Sequence, residues 1–137
     1  MKALNPDLVE PIVAVSSFKH LAFVKVQAEI IQAGLQHDVF SPNDIPEDIV
    51  AKEDRQGVVS NAWNSLEALE IIERLPVTFH DADRKIFGGK IRSTHKSRKG
   101  AWACVYKMKD ATLARTWLIR NADEIRKANE PQRELAI

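Results

Sequence analysis

The chain has 137 residues, 45% of them hydrophobic and 28% charged, with a net charge of +1, which suits a soluble globular domain with one core and tails. No run approaches the roughly eighteen apolar residues of a membrane span, and Pro6, Asp7, Glu10 and Pro11 interrupt any apolar stretch of a signal peptide. Cys104 is the only cysteine, which excludes an internal disulfide and a cysteine-based zinc site and fits a reducing cytoplasm.

Met1 to Val15 contains two prolines and no sustained period, so residues 1–15 read as an N-terminal arm. Ser16 or Ser17 can cap a helix. Phe18, Leu21, Ala22, Val24, Ala28, Ile31 and Leu35 then recur at near-helical spacing, and Gly34 suits the end of this first helix. Val39 and Phe40 read as a very short strand. Ser41 followed by Pro42 is a helix-start signal, Pro46 close behind also allows a start at Asn43 or Asp44, and either way a short helix is expected to end near Val50 or Ala51. The polar linker Lys52 to Gly57 follows.

Between Gly57 and Arg74 the sequence reads GVVSNAWNSLEALEIIER. Val59, Ala62, Trp63, Leu66, Leu69 and Ile72 fall on one helical face. Ser60, Asn61 and Asn64 fall on another, so the exposed face of the first turns carries amides and a hydroxyl rather than charge. Leu75 and Pro76 are expected to close this helix. Val77 and Phe79 suggest a strand start, Asp81 to Asp83 a turn, and Gly88-Gly89 a sharp bend. Lys90 to Arg92 reads as a strand edge. Ala101 to Met108 alternates as a half-buried strand, with Trp102, Cys104, Tyr106 and Met108 on one side. Ser93 to Gly100 is a long, mobile turn between them. Asp110 caps a last helix with Leu113, Trp117, Leu118 and Ile125 on its apolar face, and residues 126–137 fray.

Charge is distributed unevenly. Residues 1–75 carry six basic and twelve acidic side chains, a balance of −6, whereas residues 76–137 carry fourteen basic and seven acidic, a balance of +7. Residues 84–109 hold nine Lys or Arg and no Asp or Glu. Such asymmetry points either to nucleic-acid contact by the basic half or to attraction between the halves within the fold or a dimer.

The element order is helix, short strand, short helix, turn, helix, basic hairpin and closing helix. With NAWNSLEALEIIERL followed by KIRSTHKSRKGAWACVY, it resembles a winged helix-turn-helix domain of the kind found in bacterial and phage regulators and replication proteins. The expected fold class is mainly α with a small β-hairpin (α+β), a winged helix-turn-helix over residues 16–109 with an added C-terminal helix and tail over 110–137. Glu70 stands where many members carry glycine, which predicts that the helix runs straight on. Residues 76–89 are longer than a minimal wing requires.

The resemblance implies sequence-selective binding of double-stranded DNA in transcriptional regulation or phage- or plasmid-type replication. The helix from Gly57 would lie in the major groove, with Ser60, Asn61 and Asn64 toward base edges. Lys52, Arg55, Gln56, Lys90, Arg92, Lys96, Arg98 and Lys99 would meet the backbone. Homodimerisation through the first or last helix would add a second half-site. The alternative is a winged-helix docking module that binds protein and not DNA.

An enzyme needs a constellation, and none is legible. His20, His37, His80 and His95 are scattered, His80 to Asp83 reads as a turn rather than a metal site, and Gly88-Gly89-Lys90 lacks phosphate-loop spacing. No cofactor, metal or catalytic residue is expected. Trp63, Trp102 and Trp117 occupy apolar-face positions, which predicts core packing over stacking on unpaired bases.

Overall fold

The computed structural model describes residues 17–50, 55 and 57–129. The expected N-terminal arm, Lys52, Gln56 and the end of the C-terminal tail lie outside the described residues. Within them the chain has a mixed α+β architecture, with four α-helices and small antiparallel sheets. None of these helices is long and apolar enough to cross a membrane.

Helix α1 (Ser17–Gln36) runs through the centre of the core, with Val26, Ile30 and Ile31 fully buried. Gly34 does not end it. The glycine lies inside the last turn, where an added Cβ would stand 2.7 Å from Met108 Cε and 2.9 Å from the Phe40 ring. The missing side chain is therefore what lets Phe40 and Met108 approach the helix. Phe40 forms a single bridge to Tyr106, with N–H···O distances of 2.9 and 2.8 Å.

The short helix expected from Ser41 to Val50 is only a 3-10 turn, Pro42–Asp44. Its start follows the sequence signal. Ser41 Oγ accepts the N–H of Asn43, and the Asp44 carboxylate accepts the N–H of Ser41, which forms a capping box. Pro46 stops it. A residue before proline is driven to extended backbone, and Ile45 sits at φ −111°, ψ 136°. Ile45, Ile49 and Val50 still bury their side chains in the core.

Helix α2 (Val58–Ala68) buries Val58, Ala62, Trp63 and Leu66. It does not continue to Arg74. Glu70 adopts φ +64°, the left-handed state that ends helices and that glycine favours. The N–H of Ile71 bonds the Leu66 carbonyl at 3.0 Å and the N–H of Glu70 bonds that of Glu67 at 3.0 Å, the two bonds of a Schellman motif. Leu69 consequently faces solvent instead of extending the apolar stripe.

Strand β1 (Ile72–Arg74) then pairs with β6 (Tyr106–Met108), Ile72 opposite Met108 and Arg74 opposite Tyr106. Through Tyr106 this ladder also meets Phe40, so one spatial layer runs Phe40, β6, β1. The chain between β1 and β6 is not a simple hairpin. It folds into a four-stranded antiparallel sheet in the order β2 (His80–Asp81), β3 (Ile86–Phe87), β4 (Lys90–Arg92), β5 (Trp102–Cys104). The alternating run 101–108 is thus divided at Val105, with β5 and β6 in different sheets.

Gly89 joins the two sheets. Its carbonyl accepts the Val105 N–H, while its own N–H donates to the Phe79 carbonyl. At φ +73°, a Cβ there would lie 2.7 Å from both the Leu75 and Pro76 carbonyl oxygens, so only glycine fits the crossing. A second small cluster of Leu75, Ile86 and Val105, with Val39, Phe79 and Ile91, fills the space beneath.

Helix α3 (Ala111–Arg120) starts at Asp110, whose carboxylate accepts the Leu113 N–H at 2.9 Å. Helix α4 (Ala122–Asn129) follows after Asn121 and packs along α1. The C-terminal segment expected as one helix is therefore two, and it covers the first helix of the same chain.

Candidate nucleic-acid interface

The charge of residues 84–109 separates into two groups. Three cations are paired: Arg84 meets Asp38 at 3.0 Å and Asp81 at 3.3 Å, Lys107 meets Glu73 at 3.5 Å, and Lys109 meets Glu70 at 2.9 Å. Each pair is solvent-exposed and contributes little to stability. Lys85, Lys90, Arg92, Lys96, Arg98 and Lys99 are exposed, and among the described residues no carboxylate forms an ion pair with them. Part of the asymmetry between the halves is therefore neutralised within the fold, and the remainder projects from the sheet.

The turn Ser93 to Gly100 is tied down. It contains a 3-10 turn, Lys96–Arg98. The Ser93 N–H bonds the Ala101 carbonyl at 2.7 Å, and the Gly100 N–H bonds the Ser93 carbonyl at 3.0 Å. The segment after α1 then grips it from the side. Asn43 Nδ2 donates to the Arg92 carbonyl and Asn43 Oδ1 accepts the Thr94 N–H, both at 2.9 Å. The Glu47 carboxylate accepts the N–H groups of Lys96 and Ser97, both at 2.9 Å. Those bonds, led by the one from Ser97, hold the pKa of Glu47 down at about 2. His95 Nε2 contacts the Ile45 carbonyl at 3.0 Å.

This clamp leaves a concave groove of about 480 Å³ between the start of α2 and the basic turn. Ser60, Asn64 and Arg55 line one side, Ser97, Arg98 and Trp102 the other, and Trp63 and Tyr106 the floor. The floor is rigid: Trp63 stacks on Tyr106 with centroids 4.5 Å apart and on Phe40 at 5.9 Å. Burial pushes the pKa of the Tyr106 phenol up to about 12, so it stays neutral. Two buried N–H donors, Arg55 Nε and Trp63 Nε1, have no acceptor among the described residues. Buried donors are normally satisfied, and both of these belong to residues of the groove.

Of the residues expected at base edges, Ser60 and Asn64 line the groove, and Asn61 is exposed beside them on α2. Of those expected on the backbone, Arg55 and Arg98 also line it. Lys90, Arg92, Lys96 and Lys99 are exposed on the sheet and its tip. Arg92 is not a free side chain. Its guanidinium lies 4.3 Å from the centroid of the Trp102 ring, and Nη1 donates to the Gly100 carbonyl at 2.6 Å. Trp102 departs from expectation. It is 44% exposed, in contrast to Trp63 at 5%, because β5 leaves the core sheet at Val105 and carries Trp102 outward.

Asn43, Glu47 and Trp63 Nε1 are site features that the sequence does not signal. Asn43 and Glu47 read as polar residues of the short helix expected at 41–50 until the turn 93–100 is brought against them. Among the described residues no group of three or more His, Cys, Asp or Glu is placed to hold a metal ion, and Cys104 is half-buried. The chain matches no family model, no curated protein and no solved structure.

Proposed function

We propose that the protein is a winged-helix protein that binds double-stranded DNA with sequence preference. In this reading α2 enters the major groove, and the sheet and its basic turn form the wing. The element order supports it: α1, the Phe40 bridge, the turn at Pro42–Asp44, α2, then β1 and β6 paired around an extended wing. The first helix of the helix-turn-helix is reduced to a single turn by Pro46.

The observation that carries the proposal is the groove itself. It brings the exposed start of α2 and the tip of the wing onto one concave surface, with Ser60 and Asn64 opposite Arg98. Side-chain amides and hydroxyls offer the bidentate and permissive contacts used at base edges. The cations without ion-pair partners around them suit phosphates, which supply affinity and orientation.

The test is selection of bound sequences from random duplex DNA at two salt concentrations. Retention at low salt with enrichment of a common sequence is the expected result. No retention at low salt would favour protein docking through the same groove. The regulatory or replicative role follows from the resemblance alone and is part of the same proposal.

A further inference from the structure

One face of the four-stranded sheet packs on the smaller apolar cluster, and the other is exposed except at Cys104, which pairs with Lys90 and packs against the main core. Ile86 and Ile91 turn inward to the cluster with Leu75 and Val105. On the other side, the register sets Phe87 opposite Lys90 and Arg92 opposite Trp102. Paired residues project to the same face, as do Lys90 and Arg92 two positions apart. A half-buried antiparallel sheet normally turns polar residues outward. Here the outer face keeps two large aromatics, Phe87 at 49% and Trp102 at 44% exposed, with two cations between them.

Trp102 is also held by a neighbour. The Arg92 guanidinium covers the Trp102 ring and is anchored to the Gly100 carbonyl, so indole and guanidinium form a standing two-layer stack. Phe87 sits on β3 beside the turn at Gly88-Gly89, two strands from Trp102 and offset from it by two residues along the strands, about 12 Å in all. His80, opposite Phe87, is held by its Nδ1, which accepts the Gly88 N–H at 3.0 Å.

We propose that this face binds an unpaired nucleic-acid strand. Bases stack on Phe87 and on the Trp102–Arg92 pair, while Lys90 and the cations of the turn, Lys96 and Lys99, meet the phosphates. A duplex keeps its base faces covered by its own stacking, so it offers nothing to these rings. An unpaired strand exposes them, and stacking accepts every base because every base has a π face. Charge complementarity argues for this occupant over an apolar protein surface, since residues 84–109 contain no acid. The inference stands on the sheet face and does not require α2 to enter a major groove.

Fluorescence anisotropy with labelled oligo-dT and oligo-U, alongside a duplex of mixed sequence, tests it. Phe87→Ala, outside the groove at α2, is expected to weaken binding of the single strands by roughly 5- to 100-fold while leaving duplex binding unchanged, and Trp102→Ala, on the groove wall, to weaken the single strands by a similar factor. Trp102→Tyr and Phe87→Tyr, which keep a ring on the same backbone, should stay close to the wild type. Tighter binding of one oligomer identifies the strand as DNA or RNA, and equal binding assigns recognition to stacking alone. The proposal is overturned if neither oligomer is retained at low salt or if the alanine variants bind as the wild type does. It is also overturned if tyrosine fails as badly as alanine, or if Phe87→Ala weakens duplex and single strand equally. Loss of the duplex arm alone rejects the major-groove reading and leaves this one standing.

Discussion

The Glu47 carboxylate accepts the backbone N–H of Ser97 at 2.9 Å across 50 residues of chain, and its other oxygen takes the N–H of Lys96. This contact turns a long basic turn into a positioned one. It draws the tip against the segment after α1, and so sets the width of the groove between α2 and the basic turn.

Glu47→Gln should therefore loosen the tip without unfolding the domain. The amide protons of Lys96 and Ser97 are expected to exchange faster by on the order of tenfold or more, read by hydrogen exchange, with those of α1 unchanged. The same loosening should follow acidification of the wild type. A carboxylate whose folded pKa lies below its ordinary 4.5 adds stability that is complete above that value. That stability is lost as pH falls from about 4.5 toward about 2. Exchange rates that ignore both changes would remove Glu47 from its clamping role.

Glu70 ends α2 in a left-handed conformation that costs a non-glycine residue. Glu70→Gly relieves this but removes the exposed ion pair to Lys109, which is worth little, and frees the unfolded chain. The expected net effect is a Tm raised by about 2–4 °C. A lowered Tm would mean that the Lys109 ion pair or the unfolded chain outweighs the backbone strain.

Gly89→Ala should be among the more damaging single changes. Its Cβ would meet two backbone carbonyls at 2.7 Å, which unlike side chains cannot step aside. A loss of at least about 2 kcal/mol is expected, measured by urea denaturation. Leu66→Ala, at a fully buried position in the main core, should cost about 2–5 kcal/mol and serves as the reference for a defect in the core.

Changing Lys96, Arg98 and Lys99 together to alanine should weaken binding to all duplexes alike and lower the salt slope by up to about three units, one for each phosphate that a side chain no longer neutralises. Asn61→Ala with Asn64→Ala should instead flatten the preference among duplexes with little change in slope. If a selected duplex is preferred as strongly by the asparagine variant, α2 does not read it.

Local chemistry is readable from the residues alone wherever neighbours in the chain decide conformation. The cap at Ser41, the cap at Asp110, the amphipathic start of α2, the bend at Gly88-Gly89 and the basic character of 84–109 are all such cases. The helix expected at 41–50 fails on a local rule too, because Pro46 forces Ile45 to be extended before a second turn can form. The end of α2 is not legible because Glu70 carries no left-handed signal. It takes that conformation because Ile71 and Ile72 gain burial, and Ile72 to Arg74 gain a ladder with β6, which only distant residues can offer. The division of the 101–108 run has the same origin. Alternation places Trp102 and Tyr106 on one side of a strand but does not say that the chain changes sheets at Val105, leaving one ring buried and the other in solvent. The clamp of Asn43 and Glu47 on the turn 93–100, the ion pairs of Arg84 with Asp38, Lys107 with Glu73 and Lys109 with Glu70, and the groove between α2 and Arg98 join segments some thirty to fifty residues apart. No local period encodes them, and packing alone brings them together.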